Sequence, residues 1–185
     1  HVNHSIADSV AFAIKTPIGT VVQTGDFKID VTPLQGEMTD LTRFGELGRE
    51  GVLALLMDST NVERPGHSLS ESKVHDRFDQ LFKDCDKRII VTTFASNVDR
   101  IRQIIDLAVK YKRKVGITGR SMENVVKLCV ELGYMKVPDG ILVDMKRIGS
   151  VPRNKLVILS TGSQGESMSA LYRMAFSEHK QVDIG

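Results

Sequence analysis

Lys155-Leu156-Val157-Ile158-Leu159-Ser160-Thr161-Gly162-Ser163-Gln164-Gly165-Glu166 is the stretch that decides the fold. Its first half is apolar at consecutive positions, as in a strand buried on both faces of a parallel sheet. Its second half is a loop of hydroxyls and glycines leading into a helical pattern over residues 166–176. The same unit recurs upstream. Strand-like runs at 52–57, 88–94 and 114–118, with a weaker one at 141–145, alternate with helical patterns at 70–83, 97–112 and 121–132. This rhythm, together with the run at 155–160, predicts β-α-β units on a parallel sheet. In the 97–112 helix, Val98, Ile101, Ile105, Ala108 and Val109 step by three and four and predict one buried stripe. Gly133 stands where a helix ends on a left-handed residue.

Before Gly51 the texture differs. Val10-Ala11-Phe12-Ala13-Ile14 and Thr20-Val21-Val22-Gln23-Thr24, joined through Pro17-Ile18-Gly19, read as a β-hairpin. A connector follows from Val31, with Leu41, Phe44 and Leu47 at helical spacing. The expected division is therefore 1–50 and 51–185. Of the 185 residues, 41% are hydrophobic and 26% charged, which fits a folded core and not a disordered chain. No apolar run reaches the ~20 residues of a membrane span, and no signal peptide is visible at the start. The net charge of +2 neither marks nor excludes a nucleic-acid binder. Cys85 and Cys129, without a C-x-x-C, exclude a disulfide scaffold and read as two buried thiols of a cytosolic protein. The chain opens at His1 and reads as a piece of a longer protein.

Four strand ends lead into small polar residues: Asp58-Ser59-Thr60-Asn61, Ala95-Ser96-Asn97, Gly119-Arg120-Ser121, and Ser160 to Glu166. Ligands of open parallel sheets bind beyond such ends, where helix N-termini favour anions. The same residues are also ordinary helix caps, and Ser163 with Glu166 has the spacing of a capping box. Both readings stay open for each loop. His4, beside Asn3 and Ser5, and Asp26, in Gly25-Asp26-Phe27-Lys28, bring an imidazole and a carboxylate to neighbouring strand ends. Together they suit zinc or manganese, although Asp after Gly is equally a turn residue.

The full strings go further. His-Val-Asn-His-Ser-Ile-Ala-Asp-Ser (1–9), Val-Gln-Thr-Gly-Asp-Phe-Lys-Ile-Asp (22–30) and Leu-Met-Asp-Ser-Thr-Asn-Val-Glu-Arg-Pro-Gly (56–66) closely resemble the metallo-β-lactamase-fold ribonucleases of the RNase J family. So do Ser70-Glu71, Thr93 to Val98, Gly119-Arg120-Ser121-Met122-Glu123 and Ser160 to Glu166, and the resemblance covers essentially the whole chain. It implies an α/β protein: the later part of a metallo-β-lactamase nuclease domain in 1–50, then most of an inserted β-CASP parallel-sheet domain in 51–185. It implies two zinc ions in the full-length parent, with His4 ligating one and Asp26 bridging both. A bridging carboxylate holds two cations ~4 Å apart, so that both act on one phosphodiester and one water. Asp58 corresponds to the acidic residue of the insertion's first motif, which pairs with a histidine near the scissile phosphate. The alternative for Asp58 is a cap on the following turn. Ser96, Ser163, Gln164 and Gly165 correspond to loops beside the RNA channel and are candidates for holding phosphate.

On the same resemblance the parent is a cytoplasmic enzyme of RNA decay and maturation, 5′→3′ exonuclease and endonuclease. It would form a homo-oligomer or a hetero-oligomer with a paralogue, and have no membrane part. The family's H-x-H-x-D-H signature is absent from this chain, as are two histidines expected beyond Gly185, so the fragment alone is expected to be inactive. Asp99 stands where the family has histidine, and Ala7 and Ser167 stand where proline is usual. These departures motivate a second reading, a non-catalytic paralogue acting as a partner or scaffold subunit. A third, a nucleotide- or phosphosugar-binding module, lacks any G-x-G-x-x-G or P-loop. Tyr111-Lys112-Arg113-Lys114 reads as a solvated basic face. His67, His75 and His179 read as surface residues, and the methionines, Met168 and Met174 included, as core filler.

Overall fold

The hairpin forms from two strands, β1 (Phe12–Thr16) and β2 (Gly19–Gln23), antiparallel with Ile14 opposite Val21. The Thr16 hydroxyl closes the turn by donating to the Gly19 carbonyl at 2.7 Å. The computed structural model describes all residues except Gln35, Asp183 and Gly185. It divides into two compact units, His1–His75 and Asp76–Gly185.

In the first unit α1 (Leu41–Glu50) starts where Asp40 accepts the Arg43 N–H at 2.9 Å, and it buries Leu47. The run expected as the first strand of the parallel sheet becomes β3 (Ala54–Leu56). It joins the hairpin instead, parallel to β2 in the order β1-β2-β3. The Leu53 N–H donates to the Thr20 carbonyl at 2.8 Å and the Thr24 N–H to the Leu56 carbonyl at 3.0 Å, which fixes this pairing. Residues 51–75 therefore group with the hairpin, whereas the change of rhythm had pointed to a division at Gly51. A buried carboxylate ties the unit together. Asp30, its side chain 1% exposed, accepts N–H bonds from Thr32 at 3.0 Å and Glu71 at 2.9 Å and faces Lys28 Nζ at 3.5 Å. The Lys28 ammonium also donates to the Leu69 carbonyl at 2.8 Å.

The second unit is built on four parallel strands in the order β4-β7-β5-β6: β4 (Ile89–Thr92), β5 (Lys114–Thr118), β6 (Leu142–Val143) and β7 (Leu156–Ser160). Every residue of β7 is buried, and its side chains alternate between two cores. Val157 and Leu159 pack with α3 (Val98–Lys110) and α4 (Arg120–Glu131) residues such as Ile101, Ile105, Met122 and Val126. Leu156 and Ile158 face the other side, against Ile148, Met174 of α5 (Ala170–Ala175) and Val182. Apolar residues at every position are thus the mark of a strand covered on both faces. Phe82 of α2 (Glu71–Asp84), a helix that spans the division between the units, also lies in the first of these cores. Among the described residues no helix is long and apolar enough to cross a membrane.

Several sequence expectations change in detail. The buried arc of α3 is wider than the predicted stripe, taking in Ile104 and Leu107, while Val109 is 38% exposed. Met174 is core, but Met168 is 78% exposed. Cys129 is buried and Cys85 only half-buried. Arg113 is not part of a solvated face: it is buried and donates to the carbonyls of Lys87, at 2.8 Å, and Cys85. His179 is half-buried; its Nδ1 accepts the N–H groups of Gln181 and Val182, which leaves the proton on Nε2 for the Thr118 hydroxyl at 2.9 Å. Burial pushes this imidazole below the usual histidine range. Gly133 ends α4 as expected, at φ 81° after Leu132.

The last helix departs most. The Ser163–Glu166 capping box does not form, and α5 begins at Ala170 with Ser169 as its cap, accepting the Tyr172 N–H at 3.2 Å. Gly162, Gly165 and Met168 all have positive φ, so the chain cannot run helically through 162–168. Gly162 is also sterically required, because an added Cβ would lie 2.5 Å from Ser169 Oγ and 2.8 Å from Leu171 Cβ.

Two outcomes follow from this packing. Gly162→Ala should lower stability by roughly 2 kcal/mol or more, through strain and the clash with α5; a urea midpoint equal to wild type would refute the close approach. For Asp30, burial alone would raise the carboxyl pKa, but the Glu71 N–H, Ser70 hydroxyl, Thr32 N–H and Lys28 charge outweigh it and hold it below the ordinary range. A depressed folded pKa means the stabilisation is full above the unfolded value of about 3.9 and is lost as pH falls through the folded value. Asp30→Asn should therefore cost roughly 1–2 kcal/mol at pH 7, and urea titrations should show the gap to wild type closing in acid. A gap that widens in acid would contradict this.

Candidate functional site

Three strings of the first unit converge through the backbone. The Lys28 N–H donates to the Asn3 carbonyl at 2.7 Å, which sets the residue before His4 against the segment that follows Asp26. The Asp58 N–H donates to the Thr24 hydroxyl at 3.2 Å, just beyond the β2–β3 pairing. Asp58 then follows the carboxyl end of β3, next to the end of β2 that leads into Gly25 and Asp26. A parallel pair of strands delivers its loops to one edge, which is why residues far apart in sequence meet here.

The Asp58 carboxylate is fixed from several sides. One oxygen accepts both the N–H of Thr60 at 3.0 Å and its hydroxyl at 2.7 Å. These two bonds lead in holding the carboxyl below its usual range against the opposing effect of burial, with smaller help from nearby His4 and the Phe27 N–H. The turn-cap reading of Asp58 is therefore realised. His4 is half-buried and Asp26 exposed. Neither side chain makes a hydrogen bond to another described residue, so their donor atoms are open. An open imidazole nitrogen and an open carboxylate are a fitting start for a zinc site. Among the described residues, however, no three or more His, Cys, Asp or Glu side chains group as a metal site.

The second unit holds a separate cavity of about 360 Å³ at the carboxyl ends of its central strands. Register explains its place: Thr92 of β4, Ser160 of β7 and Thr118 of β5 are paired across the sheet and end level. The walls come from the three loops that follow, with Thr93, Phe94 and Ala95 after β4, Ser121 after β5, and Thr161, Gly162 and 166–169 after β7. Asn97 caps α3 by accepting the Arg100 N–H at 3.0 Å, whereas Gly119 at the start of α4 offers no side-chain cap. Of the residues predicted to hold phosphate, Ser96, Ser163, Gln164 and Gly165 lie exposed on the same loops but do not line the cavity. Of the hydroxyls that do, Ser121 and Thr161 fall within the strand-end strings without being singled out, and Thr93 and Ser169 were missed. Their one sequence signal was a hydroxyl within two residues of a strand end or at a helix start. A larger cavity of about 720 Å³ lies between α4 and residues 137–145, away from these strand ends.

Residues 86–185 match the family model described as ribonuclease J, beta-CASP domain. Ribonuclease J of Helicobacter pylori is 47% identical over 184 residues, covering all of this chain and 27% of that protein. Ribonuclease J of Synechocystis is 49% identical over 181 residues, 98% of this chain and 28% of the relative. Ribonuclease J2 of Bacillus subtilis is 40% identical over 181 residues, 98% of this chain and 33% of the relative. The chain spans about a quarter to a third of the length of these relatives. A crystal structure of a protein of unknown function from Enterococcus faecalis shares the fold, with a TM-score of 0.61 at 16% identity over 89% of this chain and 41% of that one. The chain belongs to the ribonuclease J family, and residues 86–185 match its β-CASP domain.

Proposed function

We propose that the full-length parent is a zinc-dependent ribonuclease that hydrolyses RNA phosphodiesters, both 5′→3′ from a monophosphorylated end and internally. The observation that carries this reading is the convergence of His4, the Asp26-Phe27-Lys28 segment and Asp58 at one edge of the first sheet. On this proposal the first unit is part of a metallo-β-lactamase nuclease domain. His4 and Asp26 provide two of the ligands to a pair of zinc ions. Bound zinc would polarise the phosphodiester and acidify a water. Asp58, held below the usual carboxylate range chiefly by Thr60, would act behind the metal centre as an orienting carboxylate for a histidine near the scissile phosphate. The hydroxyls and N–H groups at the strand ends of the second unit bind the RNA backbone and its 5′ phosphate. The enzyme would work in the cytoplasm, as a homo-oligomer or with a paralogue. A purely structural paralogue is the weaker reading, because the chain keeps His4, Asp26 and Asp58 in the strings that resemble the family.

In the full-length parent, Asp26→Ala should remove RNA hydrolysis and lower zinc content measured by atomic absorption. Wild-type hydrolysis by an Asp26→Ala protein would refute the assignment. Asp58→Asn should keep the fold and lower metal affinity or turnover by about 10- to 100-fold. Unchanged metal content and unchanged kcat together would reduce Asp58 to a turn cap.

A further inference from the structure

The strand-end cavity of the second unit has a feature that phosphate binding does not use. Two large apolar side chains, Phe94 and Met168, are 48% and 78% exposed, and both line it. They come from different loops, one after β4 and one after β7. Phe94 follows Thr93, which is buried and whose N–H donates to the Ser160 carbonyl at 3.1 Å, so the strand geometry turns the next side chain outward. Its backbone is fixed in turn, because the Phe94 carbonyl accepts the Asn97 N–H at 3.1 Å. Met168 is held at φ 65°, a left-handed position that a non-glycine residue occupies at some cost. A single exposed apolar side chain needs no explanation. Two that share a cavity with the hydroxyls of Thr93, Ser121, Thr161, Ser167 and Ser169, and with the Glu166 carboxylate, give it both an apolar and a polar lining. A nucleotide has the same division, with a π-faced base and a polar sugar-phosphate.

We infer that Phe94 and Met168 form the wall on which a nucleobase near the 5′ end of the RNA stacks, while the hydroxyls of the same cavity take its sugar-phosphate. The inference rests on the ribonuclease reading and adds to it a residue that positions the strand. Every base has a π-face, so the contact fixes the register of the chain without selecting sequence. The cavity's size, about 360 Å³, suits one nucleotide and not a stacked duplex.

The test uses the full-length parent under chelator, where RNA can be bound without being cut. A 5′-monophosphorylated single-stranded RNA carries 2-aminopurine at each of its first four positions in turn, or an abasic residue there. At one position wild type should quench the 2-aminopurine emission. Phe94→Ala should release the quench and weaken binding by about tenfold, in line with the loss of one base–aromatic stack. Phe94→Tyr should restore both. Phe94→Leu, which keeps apolar bulk, controls for folding and should restore affinity in part but not the quench. RNA abasic at that position should bind wild type and Phe94→Ala equally. If RNA binds wild type but Phe94→Ala changes neither emission nor affinity, or weakens abasic and normal RNA alike, the stacking wall is wrong and the ribonuclease reading stands. If wild type neither binds RNA under chelator nor binds or cuts it with zinc restored, both fall.

Discussion

The pairing of β7 between β4 and β5 is the constraint on which the second unit depends. β7 is last of the four strands in sequence yet lies inside the sheet, with Ser160 opposite both Thr92 and Thr118. That insertion separates the loops after β4 and β5 and drives the loop after β7 between them. A strand so placed must be apolar on both faces, and Leu156 to Leu159 satisfy two cores at once. A polar residue at Val157 or Ile158 would be buried without water on either side. The cavity at the strand ends is thus a consequence of packing. Gly162 is part of the same device, since only a residue without Cβ lets the chain leave β7 against Ser169 and Leu171.

The first unit uses a different means to the same end. Its sheet is small, and β1 and β3 are exposed along their whole length. Polar clamps do the work that a large core does elsewhere. Asp30 and Lys28 tie residues 69–71 to the segment after β2, and the Thr24 hydroxyl receives the Asp58 N–H. Lys28 and Asp30 lie within four residues of Asp26, so the chain that carries a candidate ligand is braced on its C-terminal side by buried charge. Charged groups braced in this way hold geometry better than apolar contacts of similar area, because their hydrogen bonds are directional.

Most of the sheet was legible from sequence because a doubly buried strand has a plain signature, and the rhythm of β4, β5 and β7 follows it. Where that signature was applied to 52–57 it misled: an apolar run does not say which sheet it joins, and β3 pairs with β2 through bonds no periodicity records. The α5 start was misread because Ser163 and Glu166 have capping-box spacing, while the positive φ values at Gly162, Gly165 and Met168 are properties of the folded chain. His4, Asp26 and Asp58 were only ambiguous candidates from their strand-end positions, and whole strings resembling a family gave them roles. The cavity-lining hydroxyls stayed hidden because Thr93 and Thr161 look no different in sequence from Ser96 and Ser163. Only the level strand ends tell the lining residues from their neighbours.

The central claim is that the carboxyl edge of the β4-β7-β5 sheet is where the RNA strand is held. Hydrogen–deuterium exchange of the full-length parent, with and without a 5′-monophosphorylated single-stranded RNA, tests it directly. The account predicts that RNA slows exchange at 94–97, 119–121 and 161–169 while the core of β7, already protected, is unchanged. RNA binding that leaves those three loops exchanging at their free rate, with protection confined to other segments, would contradict it.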